Sequence, residues 1–311
     1  MTGGLIIRKD MKQASAFAPG HLTGFFQIWD HPENDLLKGS RGSGVSINQG
    51  VHTTVQVEPA QETSCTIIMD GQITDKAFVS ETLLRKMLQK TDQTYDININ
   101  HVVGTPFAAG FGSSGGGAFS LAVALNEALE LGLTFTEAAQ IAHITEIECK
   151  TGLGTVFAAM QGGFGALVKA GGPGFGEGLY YDKCDDLSVV YLHFGPMSTK
   201  DALSNPELRI KINDLGGKFV DKIKDDLRPE LFMELSRKFT DYVNIKTPRL
   251  DKVLDRATEE NIPLTMAMFG EVAFSLVFKE EAEDIASFLW SVAPGFRVEI
   301  INIDDEGTRQ M

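Results

Sequence analysis

Two groups of side chains in this 311-residue chain have the types and spacing for chemistry. The first is the run PFAAGFGSSGGGAFSLAVALN, Pro106 to Asn126. In it Gly110, Gly112, Gly115, Gly116 and Gly117 leave the backbone open to a polyanion, and Ser113 and Ser114 add hydroxyls beside it. The run leads into an apolar helix expected from Ala118 to about Leu131, whose first N–H groups and positive dipole end face the loop. That is a phosphate cradle in outline. It is not a Walker loop, because no Gly-Lys-Ser/Thr closes it, and no clear strand leads into it with dinucleotide-binding spacing. The second group is His143 and Glu146, three apart in FTEAAQIAHITEIECK (135–150) and so on one face of a helix capped by Thr134 or Thr136. Taken alone, both groups also have plainer accounts: a glycine connection beside a packed helix, and a Glu146 to Lys150 helix pair next to a partly buried histidine.

The elements that must position these residues follow from periodicity. Residues 1 to about 13 read as an extension, and 14–28 as a strand broken at Pro19-Gly20 and resumed at Phe25. A turn-rich segment, 30–44, carries Arg41 between glycines and precedes the alternating, β-branched run 45–58, which predicts paired strands. A strand at 66–71, a helix from about Thr74 to Lys90 and a strand at 95–104 lead into the glycine loop. After 135–150, the glycine-dense stretch 151–176 holds a short apolar helix and a strand at about 165–169. Then come a strand at 187–195, charged helices at 206–224, 229–244 and 248–260, and a closing run 266–278, helix 280–291 and strand 296–303. The pattern predicts an α+β fold with helices on one face of a mostly antiparallel sheet, in two domains, 1–180 with the phosphate loop and 181–311.

Composition bounds the function. At 43% hydrophobic and 23% charged, the chain can bury a full core. Forty-two acidic against 28 basic residues give a formal charge of −14, which argues against sequence-independent nucleic-acid binding. A small anion is still allowed, because it feels the local site more than the total. Cys65, Cys149 and Cys184 are widely spaced and odd in number, which fits a reducing compartment and offers no metal framework. No apolar run approaches a membrane span, so a cytoplasmic protein is expected; a homodimer is compatible with the sequence and not required by it.

Three glycine-bearing regions, APGHLTGFF, PFAAGFGSSGGGAFSLAVALN and TMAMFGEVAFSLV, occur in the order of the three motifs of the GHMP small-molecule kinases and resemble them. Within that superfamily, KGSRGSGV (38–45), AHITEIECKTGLG (142–154), GGPGFG (171–176) and PMSTKDAL (196–203) resemble the archaeal pantoate kinase family. The resemblance implies the two-domain GHMP kinase fold and transfer of the γ-phosphoryl group of ATP to a hydroxyl of a small hydroxy acid, with Mg2+. It implies that Ser114 and Glu146 ligate Mg2+, a hard cation suited to oxygen ligands, and that Ser40 and His143 contact the acid.

Two positions depart from the family. Where the family has an Asp after TGLG, matching a role in orienting or deprotonating the attacking hydroxyl, this chain has Thr155, which can orient but is no carboxylate base. Where the family has an arginine for the pantoate carboxylate, this chain has Leu167, and a bidentate fork is lost. Arg41, Lys150, Lys169 and His21 are then the basic candidates for an anionic acceptor. The last motif also carries Phe269-Gly270-Glu271 where smaller residues are usual. The reading adopted from these departures is a mevalonate-3-phosphate 5-kinase of an archaeal isoprenoid route. The alternatives are a pantoate kinase of coenzyme A synthesis and a sensor on the same fold that has lost catalysis.

Overall fold

The computed structural model describes residues 11–106, 108–197 and 204–311. Most of the N-terminal extension (1–10), Phe107 of the glycine loop and residues 198–203 of PMSTKDAL lie outside them. The first sheet is built on two long antiparallel strands, β1 (Lys12–Trp29) and β2 (Gly39–Pro59). The register of β1 slips between Pro19 and Gly20 and again between Thr23 and Phe25, where the sequence places a break. The strand bends there and continues, as bulges allow. The KGSRGSG run is strand and not turn. Its glycines are needed inside the ladder: a Cβ on Gly42 would lie 2.6 Å from the Phe25 carbonyl, and one on Gly44 would strike the His21 ring.

β3 (Ser64–Met69), β4 (Gln72–Ile73), helix α1 (Phe78–Leu88) and β5 (Tyr95–Val103) follow. Then come α2 (Ser113–Ala128), α3 (Phe135–Cys149), α4 (Thr155–Gln161), β6 (Phe164–Lys169) and β7 (Glu177–Tyr180). The second half of β2 pairs with β5 and its first half with β6, so β1-β2-β5-β3-β4 lie in that order with β6 and β7 as a branch. β5 buries Tyr95, Ile97, Ile99 and His101 on alternate positions, the period of a strand with one wet face. His101 takes an apolar slot and is satisfied there by Thr53 Oγ1 (2.8 Å) and Ser80 Oγ (3.0 Å); Thr53 Oγ1 also lies 2.6 Å from Ser120 Oγ of α2. Helices α1, α2 and α3 close one core against this face with Leu83, Met87, Phe119, Leu121 and Ala139. Thr134 begins α3 with a full capping box to Glu137.

The second sheet follows β8 (Leu187–Gly195) and the helices α5 (Pro206–Asp225), α6 (Pro229–Val243) and α7 (Pro248–Glu259). Each of these three helices starts with proline in its first turn, which suits the absent N–H there. β9 (Thr265–Met266), β10 (Glu271–Phe278), α8 (Ala282–Val292) and β11 (Arg297–Asn302) complete an antiparallel sheet of order β11-β8-β10-β9. Residue 180 falls at the end of β7, between the two sheets.

The halves interlock. Asn213 of α5 accepts from the Ile28 N–H (2.8 Å), and Gly216 lets α5 lie against the Phe26 carbonyl. The last strand, β12 (Arg309–Gln310), returns to pair with β1, Ala16 to Gln310, a connection the sequence did not suggest. Just before it, Thr308 donates N–H and hydroxyl to the Ala159 carbonyl of α4 (2.7 and 3.0 Å), and Gly163 N–H donates to the Asp304 carbonyl (2.6 Å). The α+β class expected from the sequence holds. Among the described residues, no helix is long and apolar enough to cross a membrane.

Candidate active site

The glycine run meets two other segments where they converge. His21 N–H of β1 donates to the Phe111 carbonyl (2.8 Å), and Met268 N–H donates to the Thr23 carbonyl (3.0 Å). Gly110, at φ 79°, would place a Cβ 2.8 Å from the Met268 carbonyl, and a Cβ on Gly270 would collide with the Ala109 carbonyl. The three regions with kinase-like motifs thus pack backbone to backbone. Gly112, at φ 67°, is the N-cap, and α2 starts at Ser113, one and a half turns before the expected Ala118. Ser113, Ser114, Gly115, Gly116 and Gly117 are therefore helix and not loop; Gly116 N–H already donates to the Gly112 carbonyl (3.0 Å), so the N–H groups left open at the helix end are those of Ser113, Ser114 and Gly115. Weak helix formers there misled the sequence reading; close packing explains one of them, since a Cβ on Gly115 would lie 2.8 Å from Thr155 Cβ.

Beside this helix end, Glu146 of α3 is 2% exposed. Its Oε1 accepts from Ser114 Oγ (2.6 Å) and Thr151 Oγ1 (2.5 Å), while Oε2 is buried with no partner. Burial pushes its pKa up, against the two hydroxyl bonds that pull it down. Room for Oε2 exists because residue 152 is glycine, where a Cβ would collide with it, and because a Cβ on Gly115 would stand 3.1 Å away. Ser113 turns elsewhere, to Thr105 Oγ1 (2.8 Å), so Ser114 is the serine that joins Glu146. A carboxylate oxygen buried and unpaired next to a hydroxyl and a helix N-terminus fits a hard cation that also carries phosphate oxygens, as Mg2+ does with one or two carboxylates. Thr151 was not singled out from the sequence. The αL residue Lys150 (φ 57°) ends α3 and turns the chain back so that Thr151 reaches Glu146, a geometry only the fold reveals.

A cavity opens next to this pair, walled by His21 and Thr23 of β1, Ser40 of β2, residues 151–155, Leu167 of β6, Tyr180 and Met268-Phe269. Ser40 Oγ lies beneath Gly154, where a Cβ would strike it. Thr155 opens α4 and packs its methyl toward Gly112 and Gly115, with its hydroxyl on the side of Gly152. His21 Nδ1 is 3.2 Å from Ser46 Oγ, and burial lowers its pKa to about 4, so the ring is neutral near pH 7.

Two expected acceptor contacts are not brought to the cavity. Along β2, Ser40 and Gly42 face in and Arg41 faces out, where its guanidinium donates to Gln27 Oε1 (2.8 Å) and Asp221 Oδ1 (3.0 Å). His143 is 1% exposed, with Nε2 donating to the carbonyls of Lys38 (3.1 Å) and Asp35 (3.2 Å) and Gly172 against its ring. It fastens the turn that leads to Ser40 and is placed as a positioning residue. Of the other basic candidates, Lys150 is exposed and Lys169 pairs with Glu177 (2.8 Å) at the surface. Among the described residues, no lysine or arginine lines the cavity. Of the other wall residues, Thr23 and Met268 lie in the first and third glycine-bearing regions without being singled out there, and Tyr180 lies outside every quoted motif.

Comparison with known proteins gives three findings. The family described as "GHMP kinases N terminal domain" matches residues 77–163. The chain is 31% identical over 282 residues to a protein named pantoate kinase from Thermococcus kodakarensis, covering 88% of this chain and 91% of that one. It is likewise 31% identical over 276 residues to a pantoate kinase from Methanocaldococcus jannaschii, covering 88% of this chain and 96% of that one. A solved structure titled "Phosphotransferase related to CoA biosynthesis pathway" superposes with a TM-score of 0.85 at 28% identity, over 96% of this chain and 98% of that one.

Proposed function

Because this chain belongs to the GHMP kinases, ATP-dependent enzymes that use Mg2+, we propose that its acceptor is pantoate and its product pantoate phosphorylated on the primary hydroxyl. The observation that carries the reading is the likeness, over almost the full length of both chains, to two proteins named pantoate kinase. It displaces mevalonate 3-phosphate as the preferred acceptor. That molecule brings a phosphate in addition to a carboxylate, and the cavity has no described lysine or arginine to receive it.

The roles follow from the geometry. The N–H groups opening α2 receive the nucleotide phosphates, and Ser114 with Glu146 Oε2 would hold Mg2+. The ion supplies neutralisation of phosphate charge. Thr151 holds Glu146 in place through its 2.5 Å bond. Ser40 and Thr155 orient the acceptor hydroxyl, whose oxygen bonds to the γ-phosphorus as the bond to the leaving ADP oxygen breaks. A loose, largely dissociative transition state gains more from alignment and charge neutralisation than from a strong base, so Thr155 in place of a carboxylate is compatible with turnover. The hydroxyl proton then leaves late, to a phosphoryl oxygen or to water.

The test is ADP release by pure protein with ATP and Mg2+, offered pantoate, mevalonate, mevalonate 3-phosphate and pantothenate separately. Turnover of pantoate, with the phosphate found on its primary oxygen, is the expected result. Turnover of mevalonate 3-phosphate and not pantoate would overturn the reading.

A further inference from the structure

The wall of the acceptor cavity has an unusual charge balance for a site that takes an acid. Its wall carries the hydroxyl residues Thr23, Ser40, Ser43, Thr151, Thr155 and Tyr180, and its apolar side chains include Phe26, Leu167 and Phe269. The histidine on the wall, His21, has its Nδ1 beside Ser46 and is buried. Of the described cations on neighbouring elements, Arg41 pairs with Asp221, Lys169 with Glu177, Lys38 with Asp35 and Arg249 with Glu271, while Lys150 ends α3 exposed and outside the cavity lining. Among the described residues no aspartate or glutamate lines the cavity, and Glu146 stands against Gly152 of its wall with its unpartnered oxygen buried. β6 brings Leu167 opposite Gly42, so the surface where a fixed charge could meet a bound carboxylate is a methyl group facing bare backbone.

We propose that the acceptor is held without an ionic anchor. The end remote from the reacting hydroxyl rests on uncharged wall residues other than Ser40 and Thr155, with Thr23, Tyr180 and the apolar side chains among them, so the enzyme accepts an amide in place of the acceptor's carboxylate. This deepens the pantoate reading and rests on it. Specificity is then carried by the branched carbon frame and the position of the primary hydroxyl, and the site serves neutral branched hydroxy compounds as well as acids. A site built around a charged partner discriminates steeply against an analogue that leaves that partner unpaired, whereas an uncharged wall discriminates weakly.

The experiment compares pantoate with its primary amide by ADP release at saturating ATP and Mg2+. The expected kcat/KM values agree within about threefold, and the KM for pantoate changes less than about twofold between roughly 50 and 500 mM KCl. A preference for the acid of about thirtyfold or more, with a KM that climbs with salt, overturns the proposal. In that case a cation reaches the acceptor. Leu167→Arg is the second arm: a guanidinium on this wall should raise the acid-to-amide ratio by about tenfold or more. An unchanged ratio in folded variant overturns the placement of the remote end against β6. If pantoate and its amide both fail while another hydroxy acid of the panel turns over, the pantoate reading falls. The acid and amide of that compound are then compared, and the same ratios decide.

Discussion

Replacing Glu146 by glutamine isolates the charge at the centre of the site. Ser114 and Thr151 donate to Oε1, and a glutamine Oε1 still accepts both bonds, so the local geometry is kept. What changes is Oε2, a buried oxygen with no partner, which becomes a neutral amide nitrogen. Two consequences of opposite sign follow. Without nucleotide or metal, a desolvated carboxylate is removed from the interior, which should stabilise the fold by about 1–2 kcal/mol and raise Tm by a few degrees. With ATP and Mg2+, an anionic ligand to the cation is lost, and kcat should fall by about 10²–10³, or roughly 3–4 kcal/mol of transition-state stabilisation. The assays are a thermal melt in EDTA and ADP release over a Mg2+ titration, in which half-saturation should also move to higher concentration. A glutamine variant with kcat within about threefold of the parent and the same Mg2+ dependence would refute the assignment of Glu146. So would a melt several degrees lower in EDTA, since it would mean that the carboxylate is structural.

The other predictions use the same geometry. Ser114→Ala should cost about 10–100-fold in kcat while Ser113→Ala, which breaks only the bond to Thr105, stays within about threefold; equal losses would undo the choice between the two serines. Gly152→Ala drives a methyl into Glu146 Oε2 and should abolish most activity while leaving a folded protein by circular dichroism; wild-type turnover would mean the carboxylate can move. His101 is buried neutral with its pKa lowered to about 4 from 6.5, so the folded state binds its proton less tightly than the unfolded chain. Stability from this group is complete above pH 6.5 and is lost as pH falls toward 4; His101→Gln should flatten the urea-midpoint decline over that window, and an unaltered slope would show that other groups cause it.

Much of the architecture is legible in the residues because periodicity reports burial directly. Alternation in β5 and the Thr134 cap of α3 place those elements within a residue or two of where they lie, while in β2 alternation finds the second part and misses the glycine-rich start at Gly39. The Ser114–Glu146 pairing was also within reach, though only through the resemblance, since the two residues come from different helices. Other features were out of reach for physical reasons. The start of α2 was set late because glycines and serines are poor helix formers, and tertiary contacts with Thr155 and Val51 override that preference. Arg41 looked inward because glycines flank it, yet strand parity turns its side chain to Asp221. His143 shares a helical face with Glu146, but spacing along a helix says nothing of which partner reaches the ring first, and here two carbonyls do.

The return of β12 to β1 sets a timetable for synthesis. Among the described strands β1 is made first and β12 last, so Ala16 and Phe17 wait for Gln310 and Arg309 until every other described strand has been made. During that interval the outer edge of β1 is an unpaired template, open to other nascent chains. When residues 308–310 arrive they pair with Ala16 and Phe17, place Arg309 over the Phe17 ring and tie Thr308 to the helix that begins with Thr155. Chains stalled or clipped before residue 308 would thus carry all of the described phosphate-loop segments and still leave the Ala16–Phe17 edge open to other chains.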